Sequence, residues 1–218
     1  MVTAARDAFL TKRVGDVLLL MGVVALSAWA PSMEFPDLYQ WSSEIQAQHS
    51  LSPLAGTLLG LGLIAGPMGK CAQFPMHLWL DEAMEGPNPA SILRNSVVVT
   101  CGALVLLKVM PLLVLSPLAV NVLLVVGTIS AIGGALVAIA QIDLKRPFSY
   151  STTAYLGIVF IALALQQPFL ALLLLFTHGL AKALLFMSVG SVIATTNCQN
   201  LTELGALGSR MPATTSSY

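Results

Sequence analysis

The chain has 218 residues, of which 56% are apolar and only 9% are charged, and its ten basic residues balance its ten acidic ones. A water-soluble domain needs about a quarter of its residues charged, so this composition excludes an ordinary soluble protein. The zero net charge also excludes a nucleic-acid-binding protein, which needs an excess of basic side chains to neutralise phosphates. The mean hydropathy is +0.84, so lipid is expected to cover most of the surface. Three cysteines, an odd number, do not indicate a disulfide framework.

Long apolar segments predict an all-α integral membrane protein with six transmembrane helices. A helix of about 20 apolar residues crosses the hydrocarbon layer, whereas a barrel strand needs only about 10 alternating residues. Residues 1–218 are predicted to form one membrane domain, part of an antiporter-like helix bundle by the resemblance described below. The predicted passes are 14–30, 51–80, 89–113, 118–140, 149–165 and 169–194.

The basic residues predict an orientation in the membrane. Of the seven Lys and Arg residues that lie clearly outside the apolar segments, six flank one side of the bundle and Lys108 flanks the other. Because basic loops remain on the cytoplasmic side, both ends of this stretch are predicted to be cytoplasmic. The connection at 33–50 has acidic residues but no Lys or Arg, and is predicted to face the opposite side.

Lys70 stands inside the second apolar segment, between Pro67 and Pro75. Pro75 has no N–H to donate and its ring crowds the carbonyl of Cys71, so the helix is predicted to break between Lys70 and Pro75. Ionisable groups in the hydrocarbon are costly and mark functional sites, which favours Lys70 as a proton carrier. The alternative is that Lys70 ends a shorter helix and extends to the headgroups.

Other ionisable residues near this break have two interpretations each. His77 either relays protons from Lys70 or, as we favour, bonds to backbone groups freed by the break. Arg13 and Asp16 are three residues apart and are predicted to form a structural ion pair at the membrane interface. The acidic cluster at 81–85 is predicted to be a solvated loop. The apolar segments offer no carboxylate as a partner for Lys70.

His178 and Lys182 are four residues apart in the sixth pass, so they share a helix face at about 6 Å along the axis. Histidine titrates in the physiological range, and a lysine one turn away favours a short proton relay. Alternatively, His178 is a hydrogen-bonded core residue and Lys182 joins two helices. Arg94 and Asn95 begin the third pass, where Arg94 either joins the polar path or contacts headgroups or a helix end.

Asp143 and Lys145 lie in a charged turn before the fifth pass, as possible supporting residues. The hydroxyls at 149–153 either cap that helix or hydrogen-bond across it, and capping is sufficient to explain most of them. No spacing typical of zinc, haem, flavin or iron–sulfur ligands is present, nor a phosphate-binding glycine loop or a nucleophile motif. The chain is therefore predicted to bind no metal or cofactor of its own.

Segment 69–89 resembles the signature of the antiporter-like membrane subunits of respiratory complex I and its photosynthetic relatives. Segments 141–152 and 177–186 are similar to two further motifs of that family in the right order. Residues 13–16 resemble the start of the family's sixth pass. The similarity covers essentially the whole chain and is greatest to the subunit 5 group of the photosynthetic complexes.

This resemblance implies a proton-translocating subunit of an NAD(P)H- or ferredoxin-linked plastoquinone oxidoreductase, of which the chain spans passes six to eleven. Lys70, His178 and Lys182 would form the proton pathway. The carboxylate partner of Lys70 would lie on an earlier pass, and the exit-side lysine on a later one. Other membrane and hydrophilic subunits would be partners, and these would hold the iron–sulfur clusters and quinone.

Two positions depart from the family pattern. Arg94 and Asn95 replace a histidine of the third pass, and Leu174 replaces a histidine four residues before His178. The Arg94-Asn95 form resembles the variant that serves carbon dioxide uptake in cyanobacterial thylakoids, where a carbonic-anhydrase-like protein is a partner on the cytoplasmic face. Two alternatives remain: a cation/proton antiporter subunit, and a scaffold whose polar residues only join helices.

Overall fold

A computed structural model describes residues 2–48 and 51–216, and most of these residues are helical. The α-helices in the described part of the chain are α1 (Val2–Trp29), α2 (Phe35–Gln48), α3 (Pro53–Lys70), α4 (Leu78–Glu82), α5 (Asn88–Leu93), α6 (Thr100–Leu113), α7 (Pro117–Ile139), α8 (Arg146–Ala164), α9 (Pro168–Thr196) and α10 (Pro212–Ser216). A π-helical turn at Arg94–Val98 joins α5 to α6, and Ala83–Glu85 and Leu201–Glu203 form short 3₁₀ turns.

Proline and serine residues set the starts of two long helices. Pro53 and Pro117 occupy the first turns of α3 and α7, where a missing N–H costs nothing. Ser52 and Ser116 precede them, and each hydroxyl accepts a hydrogen bond of 3.3 Å from the backbone N–H three residues later. These local signals explain why both helices begin where they do.

Among the described residues, four helical segments are long and apolar enough to cross a membrane. They are Asn88–Leu113, which includes α5, the π turn and α6, and the helices α7, α8 and α9. These segments coincide with the predicted third to sixth passes, but the predicted count of six is not confirmed. Charged residues interrupt α1 near its middle, and α3 ends at Lys70. The connection predicted at 33–50 also contains a helix, α2.

Close backbone contacts hold two helix pairs together. A Cβ atom added to Gly127 of α7 would lie 2.8 Å from the carbonyl oxygen of Gly157 on α8. A Cβ atom added to Gly15 of α1 would lie 2.9 Å from the carbonyl oxygen of Ala65 on α3. Both pairs of helices therefore approach more closely than any residue with a side chain would permit.

An apolar core and an apolar outer surface are both present. The core includes Trp79, Leu106 and Phe160, each at most 1% exposed. On the outside, Ile139 and Phe169 are 84% and 80% exposed. Large exposed apolar surfaces are rare on soluble proteins, so these helix faces are suited to lipid or neighbouring transmembrane helices. The prediction of an integral membrane protein is confirmed at this level.

The predicted break of the second apolar segment is present. Helix α3 ends at Lys70 and α4 begins at Leu78, so the predicted break between Lys70 and Pro75 falls in the connection between the two helices. Within this connection the Gln73 amide donates hydrogen bonds of 3.0 and 3.1 Å to the carbonyls of Cys71 and Thr153. Because Thr153 belongs to α8, the broken segment is fastened to a membrane-spanning helix.

Candidate functional site

Lys70 forms an ion pair at the break. Its Nζ lies 2.8 Å from Asp16 Oδ1, and the other oxygen of Asp16 lies 3.3 Å from Arg13 Nη1. The side chains of Lys70 and Asp16 are 40% and 22% exposed. The predicted Arg13–Asp16 pair is therefore found, and we call the three side chains the Lys70 cluster.

The expectation that this chain lacks a carboxylate partner for Lys70 is wrong. Helix α1 lies directly against α3 because Gly15 has no side chain, and Asp16 follows Gly15 in the sequence. The close contact therefore brings Asp16 to the end of α3. Sequence spacing gave no sign of this pair because the two residues belong to separate helices.

Two residues that the sequence reasoning did not single out fasten α4 beside the Lys70 cluster. Trp79 donates a hydrogen bond of 2.9 Å from its indole Nε1 to the carbonyl of Gly69. Lys12 Nζ lies 3.7 Å from the centre of the Trp79 ring, which is a cation–π contact. Trp79 is 1% exposed. The second half of the broken segment is therefore held at the point where the first half ends.

His77 lies on the other side of the break. Its ring centre is 5.8 Å from that of Phe74 and 6.5 Å from that of Tyr150. These three side chains and Ser130 line a cavity of about 230 Å³. His77 Nδ1 is buried and has no hydrogen-bond partner among the described residues. The proton-relay role of His77 stays a prediction.

His178 is buried in the middle of α9, with 2% exposure. Its Nε2 lies 3.1 Å from the carbonyl oxygen of Asn95, and its ring centre is 5.0 Å from that of Tyr155 on α8. A carbonyl can only accept a hydrogen bond, so Nε2 carries a proton and donates. His178 is therefore hydrogen-bonded to the π turn.

Lys182 is also buried, with 5% exposure, but it contacts a different helix. Its Nζ donates a hydrogen bond of 2.8 Å to the carbonyl oxygen of Phe148 and another to the hydroxyl of Ser151, both on α8. The two predicted relay residues thus share the buried side of α9, as expected from their spacing. Lys182 also joins two helices, which was the alternative interpretation.

The π turn presents Arg94 and Asn95 to different neighbours. Val99 N–H donates to the carbonyl of Arg94 over 3.1 Å, five residues back rather than four. Arg94 is partly buried and its Nη1 donates a hydrogen bond of 2.7 Å to the carbonyl of Ala83, so it contacts a helix end, one of the predicted alternatives. Asn95 is fully buried, and its amide donates to the carbonyl of Ser91 over 3.0 Å.

Two buried side-chain oxygens, one in α5 and one in the π turn, are without a hydrogen-bond partner among the described residues. These are Ser91 Oγ and Asn95 Oδ1. Asn95 therefore contacts His178 through its backbone, and the side chain that replaces the family's histidine is not the link. Leu174 packs partly buried against the apolar core and offers no titratable group.

Asp143 and Lys145 organise the start of α8. Asp143 Oδ1 accepts hydrogen bonds from the backbone N–H groups of Lys145 and Arg146 at 2.8 and 3.2 Å. The Lys145 side chain is buried and its Nζ donates to the carbonyls of Met84 and Gly86 at 2.8 and 3.3 Å. Burial lowers the pKa of the Lys145 ammonium. Both residues therefore make structural contacts in the described part of the chain.

Residues 83–86, here called the 83–86 turn, bind side chains from two other parts of the bundle. Arg94 binds its first carbonyl, and Lys145 binds the carbonyls of Met84 and Gly86. Cations at the carbonyl end of a helical segment are favourably placed. The turn thus connects α4, beside the Lys70 cluster, to the π turn and to the start of α8.

The prediction that the acidic residues at 81–85 form a solvated loop is wrong for Asp81. Its side chain is only 13% exposed, and Oδ2 lies 3.3 Å from Arg146 Nη1. Burial raises the pKa of Asp81, and the positive charge of Arg146 opposes that rise. Asp81 belongs to α4, and its contact with Arg146 at the start of α8 replaces part of the solvent.

Comparisons with known proteins agree with the predicted family. The whole chain, residues 1–218, matches the family model described as "NADH:quinone oxidoreductase/Mrp antiporter, TM". It is 75% identical over 217 residues to the NAD(P)H-quinone oxidoreductase subunit 5, organellar chromatophore 2, of Paulinella chromatophora. It is 36% identical to the chloroplastic subunit 5 of Citrus sinensis and 37% identical to that of Hordeum vulgare.

These alignments cover 99–100% of the chain but only 30–34% of the relatives, so the chain spans about a third of their length. A solved structure of the Mrp complex from Dietzia sp. DQ12-45-1b superposes with a TM-score of 0.87 at 26% identity, over 97% of this chain and 23% of that one. The predicted resemblance is confirmed: the chain belongs to the NADH:quinone oxidoreductase/Mrp antiporter transmembrane family.

Proposed function

We propose that this chain is the proton-translocating part of subunit 5 of an NAD(P)H-quinone oxidoreductase in a thylakoid-type membrane. The observation that carries the proposal is the ion-paired Lys70 at the break between α3 and α4, together with the buried His178 and Lys182 on α9. The names of the chloroplast and chromatophore relatives support it. Iron–sulfur clusters and quinone then belong to other subunits, and the basic residues favour a cytoplasmic position for both ends.

Asp16 has two cationic partners in the Lys70 cluster. Asp16 neutralises the Lys70 ammonium while that group is charged. After Lys70 releases its proton, Asp16 still has Arg13 as a cationic partner. The carboxylate thus always has a counter-charge. A charge left without a partner is the main cost of neutralising one member of an ion pair. His178 and Lys182 would carry protons laterally.

Replacing Lys70 tests this function in the complete complex. We expect Lys70→Met to remove proton translocation, measured as acidification of sealed vesicles per quinone reduced, while the complex still assembles. Lys108→Met is the matched control because Lys108 is an exposed lysine on α6. Wild-type proton translocation by the Lys70→Met complex would remove Lys70 from the mechanism.

More specifically, we propose that the chain belongs to the form of the complex that serves carbon dioxide uptake. The Arg94-Asn95 form, which stands in place of a family histidine in the third pass, supports the assignment. Leu174 stands in place of a second family histidine. A carbonic-anhydrase-like protein on the cytoplasmic face would then be a partner. In whole cells we expect the double change Arg94→Ile and Asn95→His to impair carbon dioxide uptake. Unchanged uptake would overturn this assignment, and Arg6→Ile, at an exposed arginine of α1, is the control.

The similarity to the Mrp complex favours cation/proton antiport as a second candidate function. Sodium-dependent pH changes in vesicles that contain the complete protein would support antiport. Co-purification of hydrophilic iron–sulfur subunits would support the oxidoreductase instead. A purely structural role predicts unchanged transport after Lys70, His178 and Lys182 are all replaced by Met or Leu.

A further inference from the structure

Ser151 makes a contact that capping of α8 does not explain. Lys182 Nζ from α9 donates to the Ser151 hydroxyl and to the carbonyl of Phe148, one turn earlier in α8. Ser151 Oγ also donates to the same Phe148 carbonyl over 3.1 Å. The ammonium, the hydroxyl and the carbonyl therefore form a closed triangle of hydrogen bonds.

The chemistry of these groups makes the hydroxyl different from the carbonyl. A serine hydroxyl has one donor and two acceptor sites, whereas a carbonyl only accepts. While Lys182 is an ammonium, the Ser151 hydroxyl can accept a hydrogen bond from it and donate one to the Phe148 carbonyl. When Lys182 is a neutral amine, the hydroxyl can rotate and donate to the amine nitrogen. Ser151 can thus hold the Lys182 nitrogen in both protonation states.

The surroundings make this contact important for Lys182. The Phe148 ring centre lies 5.5 Å from Nζ, and the Phe186 ring packs against Phe148 at 5.7 Å. Lys182 is 5% exposed, so little water can replace a lost partner. Both acceptors are neutral, unlike the carboxylate beside Lys70. A buried ammonium needs its remaining hydrogen bonds more than an exposed one does.

We propose that Ser151 is a positioning residue that keeps Lys182 Nζ at one place through proton gain and loss. This role rests on the proposed function, in which Lys182 transfers protons. It adds a residue from α8 to the part of the pathway that the sequence places on α9. Proton transfer depends strongly on short, fixed donor–acceptor distances, so a free Lys182 side chain would slow the step.

The test compares two substitutions that differ by one hydroxyl group. In the complete complex we expect Ser151→Val to reduce proton translocation per quinone reduced by about tenfold, the effect of losing one hydrogen bond to a charged group. Threonine has nearly the same shape as valine but retains the hydroxyl of serine. For Ser151→Thr we therefore expect a rate within about twofold of wild type.

Thr152→Val provides the matched control. The Thr152 hydroxyl is fully buried and donates to the same Phe148 carbonyl over 2.8 Å. Its removal deletes a hydroxyl from the same turn without touching Lys182, so translocation should remain near wild type. Equal losses in Thr152→Val and Ser151→Val, or in Ser151→Thr and Ser151→Val, would overturn the role of Ser151, because packing alone would then explain them.

Lys182→Met separates this inference from the proposed function. If Lys182→Met stops translocation and Ser151→Val does not, the role of Ser151 is wrong and the proposed function stands. If Lys182→Met leaves translocation unchanged, Lys182 is not on the proton pathway. The role of Ser151 is then wrong, and Lys182 is removed from the proposed mechanism. Subunit composition after purification verifies that each variant complex is assembled.

Discussion

Lys70 and Lys182 are both lysines in apolar segments, yet the protein stabilises them in different ways. Lys70 is 40% exposed in its side chain and faces the carboxylate of Asp16. Lys182 is 5% exposed and is held by a neutral carbonyl and a neutral hydroxyl. One cation is compensated by an opposite charge, and the other by oriented dipoles.

The difference shows how each site can respond to a proton. The Lys70 ammonium forms an ion pair with Asp16, and the same carboxylate also pairs with Arg13. At Lys182, the Ser151 hydroxyl can hydrogen-bond to the charged form as an acceptor and to the neutral form as a donor. A neutral Lys70 would therefore lose its ion pair, whereas a neutral Lys182 would keep its contact with the hydroxyl.

The largest effect is expected when the charge at Lys70 is left uncompensated. Asp16→Asn keeps the size of the side chain but removes its charge, and we expect translocation to fall by about tenfold to a hundredfold. Proton translocation in sealed vesicles is the measurement. Asp7→Asn is the matched control, because Asp7 is on the same helix and pairs with the exposed Arg6 at 2.8 Å. Similar losses in both variants would contradict the importance of the Lys70 cluster.

An intermediate effect on stability is expected at the 83–86 turn, which binds Arg94 of the π turn and Lys145 at the start of α8. Lys145→Met keeps a long side chain at this position but removes the hydrogen bonds to the carbonyls of Met84 and Gly86. We expect the free energy of unfolding to fall by about 1–2 kcal/mol, measured by denaturation of the detergent-solubilised complex. Lys108→Met, at an exposed lysine, should have little effect. An equal loss in both variants would contradict a specific role for Lys145.

The same residue gives a pH dependence with a defined sign. Burial lowers the pKa of Lys145 below its ordinary value of 10.5, so between the two values the unfolded chain binds more protons than the folded one. Stability from this residue is therefore full above 10.5 and is lost as the pH falls through the lowered pKa. In wild-type protein the stability should rise more steeply with pH in this window than in Lys145→Met. Parallel curves for the two proteins would contradict the prediction.

The smallest effect is expected for the exposed partner of Asp16. The Arg13 side chain is 58% exposed, and ion pairs of this kind contribute about 0–1 kcal/mol. We expect Arg13→Gln to reduce translocation by only about two- to threefold, and raised salt to make the difference smaller. A loss as large as that of Asp16→Asn would show that the carboxylate acts through Arg13 and not through Lys70.

Sequence reasoning succeeded where one segment decides the structure. Pro75 is enough to predict the break after Lys70, because a missing N–H acts on the local helix alone. The apolar runs that became α7, α8 and α9 were found by length and composition. The helix α2 was missed because it is amphipathic. Leu38 and Trp41, three residues apart and both buried, were the available signal.

Contacts between helices could not be predicted in the same way. The Asp16–Lys70 pair joins residues from separate helices, and only the packing of α1 against α3 brings them together. His178 donates to the backbone carbonyl of Asn95, which any residue type would supply. The sequence allows the Ser151 hydroxyl either to cap α8 or to bond to another helix, and only the packing of α9 against α8 provides its partner Lys182.

Gly15 and Gly69 each directly precede a member of the Lys70–Asp16 pair. A Cβ atom on Gly15 would lie 2.9 Å from the Ala65 carbonyl oxygen and 3.4 Å from Gly69 Cα. Even a methyl group would push α1 outward, and the carboxylate would travel with it. The distance between the Lys70 and Asp16 charges therefore depends on how closely the two backbones approach. Two glycines, which have no side chain, control the electrostatic interaction of the residues that follow them.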